Sequence, residues 1–209
     1  MNKTVTSLFV GLFSLTLASS PAFAGPKALA PGIYKLDPAH TKVGFEVSHL
    51  VISTVEGKFT GFEGQIEAGK KFTDAKIQTT VQTGTVDTGN SDRDKHLRSP
   101  DFFDADKFPK MTFVSKKITG TPENFKMMGD LTIKGTTLPV TFSGKYNGTV
   151  NDPWGNTKAG FTASTKIKRK DYGLNWTKLI ESGPVVGDEV TISLKVEAAM
   201  AKEKVAAQE

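Results

Sequence analysis

The sequence predicts an all-β fold, an antiparallel sandwich or barrel of eight or so strands. Three observations carry that reading. Apolar residues recur at every second position in one run after another; Gly, Pro, Asn or Asp bounds each run; and a single internal segment breaks the alternation.

In chain order, the first 24 residues read as an export address rather than as part of the fold. Lys3 gives a basic start, Ser7 to Ala18 an apolar run, and Ala22-Phe23-Ala24 a small-x-small site, so cleavage after Ala24 is expected. The run is shorter than the roughly 20 residues needed to span a bilayer. Residues 25–31 form a flexible leader containing Pro26 and Pro31, the domain is expected over 32–198, and a polar tail over 199–209.

Strands follow. Val43, Phe45, Val47 and His49 share one parity while Lys42, Glu46 and Ser48 take the other, so a strand here is half apolar and half wet. The same alternation marks Phe62-Gly64-Ile66, Ile77-Thr79-Val81, Met111-Phe113, Phe125 to Ile133, Leu138 to Tyr146, Phe161 to Ile167 and Val190 to Val196. Lys134-Gly135-Thr136 and Asn147-Gly148-Thr149 read as turns between them. The exception runs from Asn90 to Asp104. Ser91 and Asp92 are N-cap candidates, Arg98 sits near the end and Pro100 forbids continuation, which predicts a helix of two turns or fewer, with a second short turn after Ser99. Placed between strands, that helix would cover one mouth of a barrel.

Composition narrows the function. Removing the address leaves 26 basic against 22 acidic side chains, and lysines such as Lys58, Lys76, Lys145 and Lys195 are scattered along the solvent face of strands rather than clustered. Nucleic acid is therefore not an expected partner. With no Cys there is no disulfide, thiolate metal site or lipoprotein anchor. Gly64 to Lys71 nearly matches a phosphate loop, but Lys71 stands where a Ser or Thr must be and no helix follows. The separations of His40, His49 and His96 match no metal motif, and no nucleophile elbow occurs, so no catalytic residue, metal or cofactor is expected.

What remains is an apolar interior. The chain carries 14 Phe against three Tyr and two Trp. Inward Phe fills a core or lines a cavity, because an eight-stranded barrel is at the size where either occurs. His49, on the parity of Phe45, reads as a core or rim histidine or as a polar contact in the cavity; Arg93 and His96 read as solvated helix charges or as contacts for a head group at the mouth.

The residues Leu36 to Leu50, followed by Gly57-Lys58-Phe59-Thr60-Gly61-Phe62-Glu63-Gly64, resemble the opening of the YceI-like family, periplasmic lipid- or polyisoprenoid-binding proteins with a lipocalin-like barrel. Arg93 to Asp104, Leu131-Thr132-Ile133-Lys134-Gly135 with Pro139-Val140, and Asp152-Pro153-Trp154-Gly155 with Arg169 to Leu174 extend the resemblance in order along the chain. It implies an eight-stranded antiparallel barrel with a short helical insertion. It also implies an apolar cavity lined by Val43, Phe45, Val47, His49, Phe62, Phe102, Phe103, Phe113, Phe142 and Phe161, with Arg93 and His96 at the mouth. The expected function is sequestration or carriage of a polyisoprenoid, isoprenoid quinone, fatty acid or amide in the periplasm, without catalysis. Transient membrane contact and a homodimer are compatible with it. The rivals are a lipid-modifying or oxidant-reactive enzyme seated at His49 or Arg93, and a filled barrel acting in stress tolerance.

Overall fold

A computed structural model describes residues 28–202; the signal segment, its cleavage site and the last residues of the tail lie outside the described residues. The strands are β1 (Gly32–Leu36), β2 (Lys42–His49), β3 (Ser53–Phe59), β4 (Phe62–Ala68), β5 (Lys76–Gln82) and β6 (Val86–Asp87). The helix α1 (Ser91–Arg98) comes next, then β7 (Lys110–Thr121), β8 (Asn124–Ile133), β9 (Thr136–Asn151), β10 (Thr157–Lys168), the two-residue β11 (Leu179–Ile180) and β12 (Gly183–Pro184), and β13 (Val186–Met200).

The early strands come in broken pairs. β1 and β2 form one wall strand interrupted at residues 37–41; β3 runs into β4 across Thr60-Gly61, and β5 into β6 across a 3-10 turn at Thr83–Thr85. Counted that way the barrel has eight strands, each antiparallel to its neighbours in sequence, and β13 closes it by pairing with β2 from Val186 to Lys195 and with β1 from Ala198 to Met200. Closure leaves the barrel circuit no free edge to template aggregation. Alternation sets the faces: in β8, Phe125, Met127, Gly129, Leu131 and Ile133 are buried while Lys126 and Met128 are exposed.

Because the strands run up and down, the connections fall at two ends. The cap end carries the β2–β3 turn, the segment from Thr88 to Pro109 that includes α1, the β8–β9 turn and the long connection from β10 to β13. The floor carries the N-terminal segment, a 3-10 turn at Phe72–Asp74, the β7–β8 and β9–β10 turns and the end of β13.

Three expectations change. The helix is capped by Asn90, whose side chain accepts from the Arg93 N–H at 3.0 Å, rather than by Ser91 or Asp92. The short turn expected after Ser99 is present, with Phe102 N–H donating to Ser99 O at 3.0 Å. Asn147-Gly148-Thr149 lies inside β9, where the register against β10 shifts by one residue and Gly148 takes φ 122°, a bulge instead of a turn. The barrel also reaches past its expected bounds: Tyr34 pairs with Met200, Tyr34 Oη donates to Ala30 O at 3.0 Å, and Leu29 of the leader packs on the core. Those residues are needed because β1 is short and its wall would otherwise be open at the floor.

Candidate functional site

A cavity of about 240 Å³ runs inside the barrel from Leu29 and Phe72 at the floor to Leu97, Tyr172 and Leu174 at the cap. It exists partly because large rings are laid along the wall instead of across the lumen. Phe45 is paired with Gly57 on β3 and Phe125 with Gly144 on β9. A Cβ on either glycine would run into the facing ring, so the missing side chain is what lets the phenyl group lie flat. Phe113 and Phe142 then meet edge to face at 5.3 Å between centroids on the far wall.

Of the residues expected to line a cavity, Val43, Phe45 and Val47 of β2, Phe62 of β4, Phe113 of β7, Phe142 of β9 and Phe161 of β10 do face it. Phe102 and Phe103 reach it from the cap connection, and Leu97 is the one residue α1 contributes. His49 does not line it. Its parity is inward, but it is the last residue of β2, half-buried beside the start of β13, and its carbonyl accepts from Ser53 Oγ at 3.1 Å in the turn. Arg93 and His96 are outside as well. Arg93 is exposed and spends its guanidinium on Thr88, Nε to Oγ1 at 2.7 Å and Nη2 to the carbonyl at 2.9 Å. The His96 ring bonds Asp101 at 2.8 Å and stands edge-on to both Phe102 and Trp176 at 5.0 Å, which fixes α1 to the cap instead of presenting a polar group to the lumen.

The charged residue that does reach the lining is Arg169, 4% exposed. Its guanidinium donates to three carbonyls: Nε to Gly187 at 2.8 Å, Nη2 to Val186 at 3.3 Å, and Nη1 to Leu174. Burial pulls its pKa below the usual arginine value, an effect opposed by the charge of Asp188. Beside it, burial and the Asp171 charge push the Tyr172 hydroxyl up to about 12. Arg169 thus stays a cation and Tyr172 a neutral phenol at any ordinary pH, so both can bind and neither can cycle a proton. The signal for Arg169 was present in the sequence, since it continues the inward parity of Phe161, Ala163 and Ile167.

At the floor, Phe72 stacks against Phe125 at 5.5 Å and Tyr146 at 6.0 Å, and the Tyr146 hydroxyl is hydrogen-bonded to Thr149 Oγ1. Outside the lumen, at the break between β1 and β2, Lys158 Nζ lies 2.6 Å from Asp37 Oδ2 and 3.2 Å from Glu197 Oε1, with His40 Nδ1 3.1 Å from the same Asp37 oxygen. The Lys158 hydrogen bond, helped by His40, holds the Asp37 carboxyl down to about 2, and the two carboxylates raise Lys158. Asp37, His40 and Glu197 are close enough together to hold a metal, but the Lys158 ammonium already sits among them, making this an ion-paired clasp of the seam.

The geometry has counterparts. A sequence model of the YceI-like domain matches residues 34–198. The protein YceI of Escherichia coli is 38% identical over 194 residues, covering 91% of this chain and 98% of its own. The Campylobacter jejuni YceI crystal structure superposes with a TM-score of 0.65 at 35% identity, over 80% of this chain and 97% of that one. A polyisoprenoid-binding domain from Saccharophagus degradans shares the fold with a TM-score of 0.62 at 15% identity, over 80% of this chain and 98% of its own. With a closed barrel around an apolar lumen and a match across almost every strand, this chain belongs to the YceI-like family.

Proposed function

We propose that the protein binds a single long apolar chain in the barrel, a polyisoprenoid or similar amphiphile such as an isoprenoid quinone, fatty acid or fatty amide, and sequesters or carries it in the periplasm after export. The observation that carries this reading is the lumen itself, a cavity of about 240 Å³ whose wall is almost wholly aliphatic and aromatic. Burying about 300 Å² of such a chain contributes about 7.5 kcal/mol of gross driving force before association costs. The head group rests at the cap, where Arg169 offers a permanent positive charge to a phosphate, carboxylate or carbonyl oxygen. Catalysis fits less well, because the lumen lining carries no histidine or carboxylate to act as general acid or base. The solved polyisoprenoid-binding domain supports the reading at the level of fold.

Organic extraction of protein purified from its own host, followed by mass spectrometry, should release a long-chain lipid in a fixed ratio to protein. Repeated recovery of empty protein that also fails to bind prenyl lipids or quinones would overturn it.

A further inference from the structure

We propose that two loop tips at the cap end, the β2–β3 turn and the β11–β12 hairpin, dock the protein on a bilayer surface; this rests on the reading of the lumen as a lipid site. The tips lie side by side, with Leu50 N–H donating to Val185 O at 2.9 Å. They display Ile52 at 86% exposure, Leu179 at 78%, Val51 at 58% and Ile180 at 43%. An apolar cluster of this kind marks a contact surface, and it stands at the opposite end of the barrel from the exposed Val150 and Trp154.

Backbone strain points the same way. Leu50 and Val51 hold φ of 53° and 68°. Left-handed backbone is the place for Gly or Asn, and a β-branched residue there is an outlier. Val51 is 58% exposed and its contact is with Gly183 of the hairpin, so the strained turn is held to the second tip and not to the core. The turn breaks two local rules, conformation and polarity, at the same residue, which is the pattern of a segment kept for a task other than folding.

Position and extent choose the occupant. Leu174 and Val186, the two feet of the segment bearing the hairpin, line the lumen, so a bilayer at the tips would abut the cavity's cap. The charges around the hairpin balance: Lys166, Lys168, Lys170 and Lys178 stand against Asp171, Glu181, Asp188 and Glu189, with Lys166 Nζ 2.7 Å from Glu189 Oε1, so the apolar tips rather than a net charge make the contact. The four aliphatic side chains stand on convex tips and fall well short of the about 800 Å² per partner that a stable protein interface needs. The nearby Trp176 ring, the kind of anchor a protein partner would use, is turned to His96 and Phe102 instead. Shallow insertion of aliphatic tips is how a protein lies on a membrane.

The test compares protein from the host's cell envelope with the double variant Ile52→Ser, Leu179→Ser, each bearing the same verified N-terminus. Sedimentation with vesicles of phosphatidylethanolamine and phosphatidylglycerol should fall about tenfold in the variant, and the same difference should persist with vesicles of phosphatidylcholine alone. A fluorescent fatty acid in free solution, without vesicles, should bind both proteins equally. Equal sedimentation of both proteins, or self-association of the parent through the tips in place of vesicle binding, would overturn the docking proposal while leaving the lumen reading intact. Failure of the parent to take up any apolar probe would instead sink the lumen reading.

Discussion

The floor and the cap close the same barrel by opposite means. At the floor, turn chemistry and local structure agree: Asp152 accepts from the N–H groups of Trp154 and Asn156 at 3.0 and 2.8 Å, Gly155 takes the left-handed position, and the Lys158 clasp ties β1, β10 and β13 together. At the cap, Leu50, Val51, Asp104 and Lys134 hold positive φ without glycine, and one buried arginine holds the feet of the β10–β13 connection. Both ends show apolar side chains to water, Trp154 and Val150 at the floor as Ile52 and Leu179 at the cap, so what sets the cap apart is left-handed backbone without glycine.

Arg169→Met should strike hardest. Removing the donors of three buried carbonyls is expected to cost at least about 3 kcal/mol, read as a lower urea midpoint at unchanged slope. A loss under about 1 kcal/mol would mean that the cap is held by other contacts and that the contrast between the ends is overdrawn.

Next comes Phe45→Ala, which tests the wall between them. A buried Phe→Ala change costs about 3 to 5 kcal/mol, but Phe45 is only half-buried and borders open lumen, so about 2 kcal/mol is expected, with a clear loss of retained lipid. His49→Ala and Arg93→Ala, both outside the lumen, should leave lipid content near that of the parent. Lipid extraction beside thermal midpoints separates the cases, and binding lost only through the two polar changes would refute the apolar-lumen mechanism.

At the floor, Asp37→Asn should remove about 2 kcal/mol at neutral pH. The native carboxyl is depressed from 3.8 to about 2, so its contribution is complete above the unfolded value and is lost as pH falls from 3.8 toward 2. The parent should therefore lose more stability over that acid window than the variant, which keeps Asp87, Glu123 and Asp152, also held below their ordinary values. Parallel acid titrations of the two would expose a clasp of no consequence.

The smallest effect has the opposite sign. Val51→Asn should raise stability by about 1 kcal/mol by relieving left-handed strain. A fall in the melting midpoint would show that the turn is supported by packing, removing the strain from the cap's side of the comparison.

Much of this was legible because a sheet with one apolar face writes a period of two into the chain. Phe125 to Ile133 and Phe161 to Ile167 showed their inward residues directly, and Pro100 marked the end of α1. Parity alone misplaced His49, since a strand's last residue follows the turn rather than the wall. The breaks at Thr60-Gly61 and Thr83–Thr85 were not legible, because they answer to the curvature of closure, a tertiary demand. Leu50-Val51-Ile52 carries no turn signal at all, and Arg169 lies just past the end of the apolar alternation that ends at Ile167, although its parity pointed inward.

The seam that closes the barrel also dictates an order of events. Thr41 and Glu197 are bonded across 156 residues, and β1 meets β13 only at Ala198 to Met200. Contacts so distant along the chain form late and slowly, since loop closure has to precede the pairing that stabilises it. While the chain is still emerging there is an open sheet and no lumen. The enclosed site exists only in the finished protein, so on the lipid-binding reading proposed above any cargo would enter after the last strand has paired.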